Sequence, residues 1–197
     1  MNYVLASGSP RRMELLKGIG LKFDIMKSDV ENYANVEATG AEFALELSRL
    51  KVKDIASKLD KDNEYIIIGA DTIVKLGEKI LEKPKDKFEA ENMLTELSGR
   101  CHEVITGVTI MHLPSGKVLS SFEKTLVFFR NLTHNEIMAY IEKGEYADKA
   151  GAYGIQEYGA LLIEKIEGCY FNVVGLPLNK LNSMLNEFNL NILLSKI

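Results

Sequence analysis

Between positions 65 and 72 the chain reads Tyr-Ile-Ile-Ile-Gly-Ala-Asp-Thr. Four bulky residues in a row, without polar alternation, do not suit a strand with one face in water. They suit a strand buried on both faces, the arrangement of a parallel sheet covered by helices on each side. The run ends in Gly69-Ala70, and a carboxylate, Asp71, follows. In open α/β sheets ligands gather beyond the carboxyl ends of the strands. The sequence therefore places Asp71 at such an end, as a turn residue or as the acid of a site, and both readings stay open here.

A second stretch points the same way. Tyr3 to Ala6 forms a short apolar strand that runs into Ser7-Gly8-Ser9, and Pro10 opens a helix reaching Lys17 before Gly18 and Gly20. Proline is suited to the first helical position, where its missing N–H costs nothing. Ser7 and Ser9 are cap-type residues for the first free amides. Those amides, the helix dipole and the charges of Arg11 and Arg12 make a cradle for phosphate. The plain alternative is an ordinary βα turn with two solvated arginines.

The other elements follow from local signals. Phe23 to Met26 is a short strand, followed by the acidic, irregular stretch Ser28 to Asn32. Thr39 with Glu42 forms a capping box for a helix reaching Leu59. On its apolar stripe (Phe43, Leu47, Ile55, Leu59) sits Lys51, which either snorkels to water or puts its amine into a site. Ile73 to Leu81 reads as a hairpin turning at Gly77-Glu78, and it delivers Glu82-Lys83-Pro84. Asp86 with Glu89 caps a helix to Leu97. Cys101–Leu113 and Val118–Arg130 are two long strands joined at Pro114–Lys117. They read as scaffold, so no chemistry is assigned to His102 or His112. Thr133 with Glu136 caps a helix to Lys143. The polar, glycine-interrupted stretch from Glu145 to Gln156 reads as a base-recognition loop. Ala160 to Glu167 is a strand, and the last helix runs from Leu178 to Phe188.

A chain of 197 residues is long enough to bury a sizeable core, and a single domain over 1–197 is the expected organisation. The net charge of -4 speaks against a nonspecific nucleic-acid binder. No apolar run reaches membrane-spanning length, and no signal pattern opens the chain. Cys101 and Cys169 make neither a disulfide framework nor a CxxC pair, so a reduced, cytoplasmic compartment is expected. Neither HExxH nor a Walker A motif is present, which speaks against a His-ligated zinc site and a standard P-loop enzyme. What remains is a set of cations (Arg11, Arg12, Lys51, Lys83) and carboxylates (Asp71, Glu82). Phosphoryl chemistry uses that mixture, with cations offsetting phosphate charge and carboxylates holding a divalent metal or a water.

Six blocks, LASGSPRRMELL (5–16), GADTIV (69–74), LEKP (81–84), LSGRCHEVITGV (97–108), DKAGAYGIQ (148–156) and NVVGLPL (172–178), resemble the Maf family of nucleoside triphosphate pyrophosphatases. The resemblance implies a mixed α/β fold, a twisted sheet with flanking helices, in two lobes around a cleft, similar to inosine triphosphate pyrophosphatases. It implies metal-dependent hydrolysis of the α–β bond of a nucleoside triphosphate, with Mg2+ or Mn2+. Asp71 matches the family's proton acceptor, and Lys51 and Lys83 match active-site lysines. Arg11, Thr72 and Gln156 match substrate-specificity positions, and Ser7 and Arg12 join them on the substrate. Asp71, Glu82 and Glu31 are the expected metal carboxylates. Many members carry glutamate where this chain has Asn32, so either Glu31 takes that role or the site is weaker by one carboxylate. The YGIQ form of the loop resembles the dTTP/UTP subgroup. A nucleic-acid or membrane partner is not expected, and a homodimer is left open. A non-catalytic nucleotide-binding regulator of septum formation and a phosphomonoesterase are the alternatives.

Overall fold

Ile66, Ile67 and Ile68 are each fully buried, and they face two different cores. Ile66 and Ile68 pack with Leu5, Leu16, Leu181 and Leu185, whereas Ile67 packs with Val4, Val52 and Ile55. A strand clad on both sides is what the unbroken apolar run calls for.

The computed structural model describes residues 1–30 and 40–194. In chain order the elements are β1 (Asn2–Leu5), α1 (Pro10–Gly18), β2 (Asp24–Ile25), α2 (Gly40–Lys58), β3 (Tyr65–Leu76), β4 (Lys79–Leu81) and α3 (Lys87–Leu97). Then come β5 (Cys101–Leu113), β6 (Val118–Phe129), α4 (His134–Glu142), β7 (Ile163–Glu167), α5 (Tyr170–Val174) and α6 (Leu178–Asn186). Two 3-10 segments, Ala150–Ala152 and Glu157–Leu162, lie between α4 and β7. The strands hydrogen-bond in the order β2-β1-β3-β5-β6-β7, and β4 adds to β3. β1 is parallel to β2 and β3, while the β3–β4 and β6–β7 pairs are antiparallel. The sheet is thus mixed, as expected.

The expectation that β3 stops at Gly69-Ala70 is corrected. β3 is 12 residues long and runs on through Asp71 to Leu76. Its parallel neighbour β1 gives out opposite Ile68, and β4 takes up pairing from Val74 to Leu76. Asp71 is therefore inside a strand, just past the end of β1.

The chain divides into two compact units. The first comprises Met1–Asp71, Thr106–Glu123 and Gly175–Ile197; the second comprises Thr72–Ile105 and Lys124–Val174. In the first, α1 and α6 cover one sheet face and α2 the other. In the second, α3 and α4 pack on Val74, Leu81, Val104 and Val127.

The local signals fared unevenly. Thr133 and Glu136 form a reciprocal capping box, with Glu136 N to Thr133 Oγ1 at 3.3 Å and Thr133 N to Glu136 Oε2 at 2.8 Å. Asp86 accepts from Glu89 N at 2.8 Å, but the Glu89 carboxylate takes Lys85 N instead of the cap amide. Thr39, the expected cap of α2, lies outside the described residues. β7 starts at Ile163 because the preceding residues coil into a 3-10 segment, and the short α5 was not expected. No helix among the described residues is long and apolar enough to cross a membrane.

Candidate active site

Helix α2 rests directly on the sheet. A Cβ on Gly69 of β3 would lie 2.5 Å from Val52 Cγ2 and 2.8 Å from the Ser48 carbonyl oxygen. A Cβ on Gly107 of β5 would lie 2.4 Å from the Ala44 carbonyl. Only glycine admits so close a helix backbone. Hydroxyls pin the same contact: the buried Ser48 Oγ meets the buried Thr109 Oγ1 at 2.6 Å, which meets the half-buried Ser120 Oγ at 2.9 Å.

This seating decides where Lys51 goes. Ser48 and Val52, the residues over Gly69, flank Lys51 along α2. Asp71 is two residues beyond Gly69, on the same face of β3. The Lys51 ammonium donates to Asp71 Oδ1 in a close ion pair, with only 14% and 10% of the two side chains exposed. The amine does not snorkel to water. An ion pair this sheltered is held by its geometry, and removing either partner leaves a nearly buried charge uncompensated.

The two arginines of the N-terminal turn differ. Arg12 is buried, donating from Nε to the Gly175 carbonyl at 2.8 Å and from Nη1 to Ser7 Oγ at 3.1 Å. Arg11 is half-buried. The picture of two solvated arginines therefore fails for Arg12, which braces the turn from beneath. The serine caps are also corrected. Ser9 is the N-cap residue of α1 but makes no side-chain cap bond. Ser7 Oγ accepts from Ser9 N at 3.2 Å and from Arg12, closing the turn before the helix begins.

Ahead of residues 31–39, α2 holds the incoming chain. Asp54 accepts from Ser28 Oγ at 2.8 Å, Asp29 N at 3.0 Å and Lys58 Nζ at 3.1 Å. Desolvation alone would raise this carboxyl, but the Ser28, Asp29 and Lys58 bonds outweigh it and hold it below the usual range. Glu31 lies outside the described residues.

In the second unit, Thr72 is half-buried beside Asp71 in the chain, Glu82 and Lys83 are exposed after β4, and Gln156 is half-buried. Among the described residues the side chains of Glu82, Lys83 and Gln156 make no hydrogen bond or ion pair. The backbone holds these segments instead. Gly151 N donates to the Glu82 carbonyl at 3.1 Å, tying the Glu82-Lys83 turn to the loop that carries Gln156. Gly154 N donates to Tyr140 Oη at 3.3 Å, and the Glu145 carboxylate accepts from Tyr158 N and Gly159 N at 3.3 Å each.

The structure thus brings together Lys51 with Asp71, Ser7 with Arg12, and the Glu82 turn with the Gln156 loop. The sequence reading missed Gly69, Gly107 and the Gly175 carbonyl. For the first two the available signal was a glycine inside a strand pattern, a mark of close backbone approach. For a divalent metal, no group of three His, Cys, Asp or Glu forms among the described residues. Mg2+ sites commonly use one or two carboxylates together with substrate phosphates. Asp71 fits that donor chemistry as a sheltered carboxylate whose Oδ1 meets Lys51. A cavity of about 360 Å3 in the first unit, lined by Met1, Glu64, His112, Lys117 and Phe188 among others, contains none of the candidate residues. It lies by the starts of β1 and β3, away from Ser7 and Asp71.

The fold is similar to that of the Staphylococcus aureus Ham1 protein, with a TM-score of 0.51 over 95% of this chain and 100% of that one at 15% identity. That likeness speaks for the mixed α/β fold and no further. The family model described as Maf-like protein matches residues 2–188, and the chain belongs to the Maf family. It is 52% identical over 191 residues to the dTTP/UTP pyrophosphatase of Alkaliphilus oremlandii (strain OhILAs), covering 96% of this chain and 98% of that protein. It is 50% identical over 194 residues to the dTTP/UTP pyrophosphatase of Thermoanaerobacter sp. (strain X514), covering 98% and 100%.

Proposed function

We propose that this protein is a nucleoside triphosphate pyrophosphatase acting on dTTP and UTP. The observation that carries the reading is the sheltered Lys51–Asp71 pair, set by α2 on β3, in a chain about half identical to proteins named for that activity. In the reaction a water oxygen bonds to phosphorus, the bridging oxygen between the α and β phosphorus atoms leaves with the pyrophosphate, and the water proton is taken up.

Asp71 orients the water and takes its proton. Lys51 keeps that carboxylate in place and sets a positive charge beside the phosphate chain. Arg12 fixes the Ser7–Pro10 turn so that its amides and the dipole of α1 face an anion, and Arg11 adds a more exposed charge. Lys83 contributes a further cation, and Gln156, whose amide offers both a donor and an acceptor, reads the pyrimidine edge with Thr72. Asp71, helped by Glu31 or Glu82, is the group to hold Mg2+ or Mn2+, which when bound offsets phosphate charge and acidifies a water.

The test is product analysis with UTP and dTTP, each with Mg2+, with Mn2+ and with excess EDTA. The expected result is monophosphate and pyrophosphate, formed only with metal. Orthophosphate as the first product would identify a phosphomonoesterase, and tight binding without turnover a non-catalytic nucleotide binder. Full activity in EDTA would remove the metal from the account.

A further inference from the structure

The loop from Ala150 to Gln156 is anchored from behind by a polar contact inside an otherwise apolar core. Tyr153 turns back into the second unit and is 5% exposed, while His102 on β5 is 2% exposed. His102 Nε2 and Tyr153 Oη lie 2.6 Å apart. Both rings also pack edge-on against Phe129, with centroids 5.1 Å and 4.7 Å away. The surrounding core is built of Val104, Val127, Leu162 and similar residues.

A phenylalanine pair would fill this space without burying polar atoms. An imidazole and a phenol must both leave water, and their one shared hydrogen bond offsets only part of that loss. His102 Nδ1 is buried with no hydrogen-bond partner among the described residues, which adds to the deficit. Burial holds the imidazole down at about 4, so it is neutral near pH 7 and each ring nitrogen plays one role. What the pair supplies beyond packing is direction. It fixes the ring of Tyr153, three residues before Gln156, between the Gly151 bond to Glu82 and the Gly154 bond to Tyr140.

We infer that His102 and Tyr153 form a buried positioning pair that sets the loop carrying Gln156 for recognition of the pyrimidine base. This rests on the proposed role of Gln156. The pair touches no substrate; it acts through the loop. Its loss therefore raises KM and blurs base choice, while kcat, governed by Lys51 and Asp71, changes little.

The experiment compares His102→Phe, Tyr153→Phe, the double variant and Gln156→Ala, measuring Tm together with kcat and KM for UTP and GTP. Each single variant leaves a buried polar atom without its partner and lowers Tm. The double variant removes both atoms and recovers most of that loss. Under the inference its KM for UTP nonetheless stays raised by roughly tenfold, the loss of about one directional hydrogen bond. Its kcat stays within about twofold, and its UTP-over-GTP preference falls in the same sense as in Gln156→Ala. A double variant that recovers both Tm and wild-type KM and selectivity, while Gln156→Ala loses selectivity, makes the pair packing alone and overturns the inference but not the role of Gln156. If Gln156→Ala also keeps wild-type selectivity, that role fails and the inference with it. Should the double variant not fold, Tyr153→Phe serves alone, and an unchanged KM and selectivity per folded molecule overturns the inference.

Discussion

The two units hold their candidate residues in opposite ways. In the first, the side chains are themselves part of the framework: Lys51 is bound to Asp71, and Arg12 to Ser7 and Gly175. In the second, the side chains of Glu82, Lys83 and Gln156 make no hydrogen bond or ion pair among the described residues, and backbone bonds with a buried ring pair fix the segments that carry them. A group that must hold one charge geometry through every turnover belongs in a rigid, packed setting. Groups that read a base or meet a polyanion sit on loops fastened from behind. The division gives different expectations for mutations on the two sides.

After Asp71 itself, the largest expected effect is at Lys51. Lys51→Met keeps the buried stem and loses the amine. Turnover should fall about 10²–10³-fold, in the range of losing one preorganised charge. Stability should fall by about 3 kcal/mol, because Asp71 is left sheltered without its counter-charge. Steady-state kinetics beside urea denaturation checks both. Full stability with lost activity would separate the pair's chemistry from its framework role. Next is Gly69→Ala, which puts a methyl against Val52 and the Ser48 carbonyl. Forcing α2 off the sheet should lower stability by about 2–3 kcal/mol and lower kcat too, because Lys51 moves with the helix. Loss of stability alone would show that the seating does not aim Lys51.

The smallest effect belongs to the second unit and depends on pH. The folded chain holds the His102 imidazole at about 4, whereas 6.5 is its ordinary value. Between those values the unfolded chain binds a proton that the folded one refuses. This contribution is therefore fully present above about 6.5 and is lost as pH falls toward 4, amounting to about 2 kcal/mol by pH 5. Urea midpoints at pH 7, 6 and 5 should show a decline that is shallower in His102→Phe. Equal slopes would mean that other groups carry it.

How much of this was legible in the sequence follows from the range of each interaction. The unbroken apolar run Ile66 to Ile68 and the Thr133–Glu136 box are each written in residues a few positions apart, and both were readable. The continuation of β3 through Asp71 was not, because it depends on β1 ending and β4 beginning, two pairings distant in sequence. Lys51 stood out on its apolar stripe as a choice between two accounts, and only the seating of α2 on Gly69 decides it. Arg12 could not be told from Arg11 by type, since its burial is fixed by Gly175, 163 residues away. His102 read as scaffold because a lone histidine in an apolar strand carries no local sign of its partner, Tyr153.

The account turns on Asp71, and Asp71→Asn is its most direct test. Asparagine keeps the size of the side chain and loses the charge that takes a proton or holds a metal. The measurement is pyrophosphate release from UTP beside calorimetric titration of UTP into the same folded variant. The expected result is a fall in turnover of at least about 10²–10⁴-fold, with UTP binding preserved or tightened, because a negative charge beside the phosphates has gone. Turnover above about a tenth of wild type, a change of under 1.4 kcal/mol in the barrier, would contradict the account and leave Asp71 as a structural partner of Lys51.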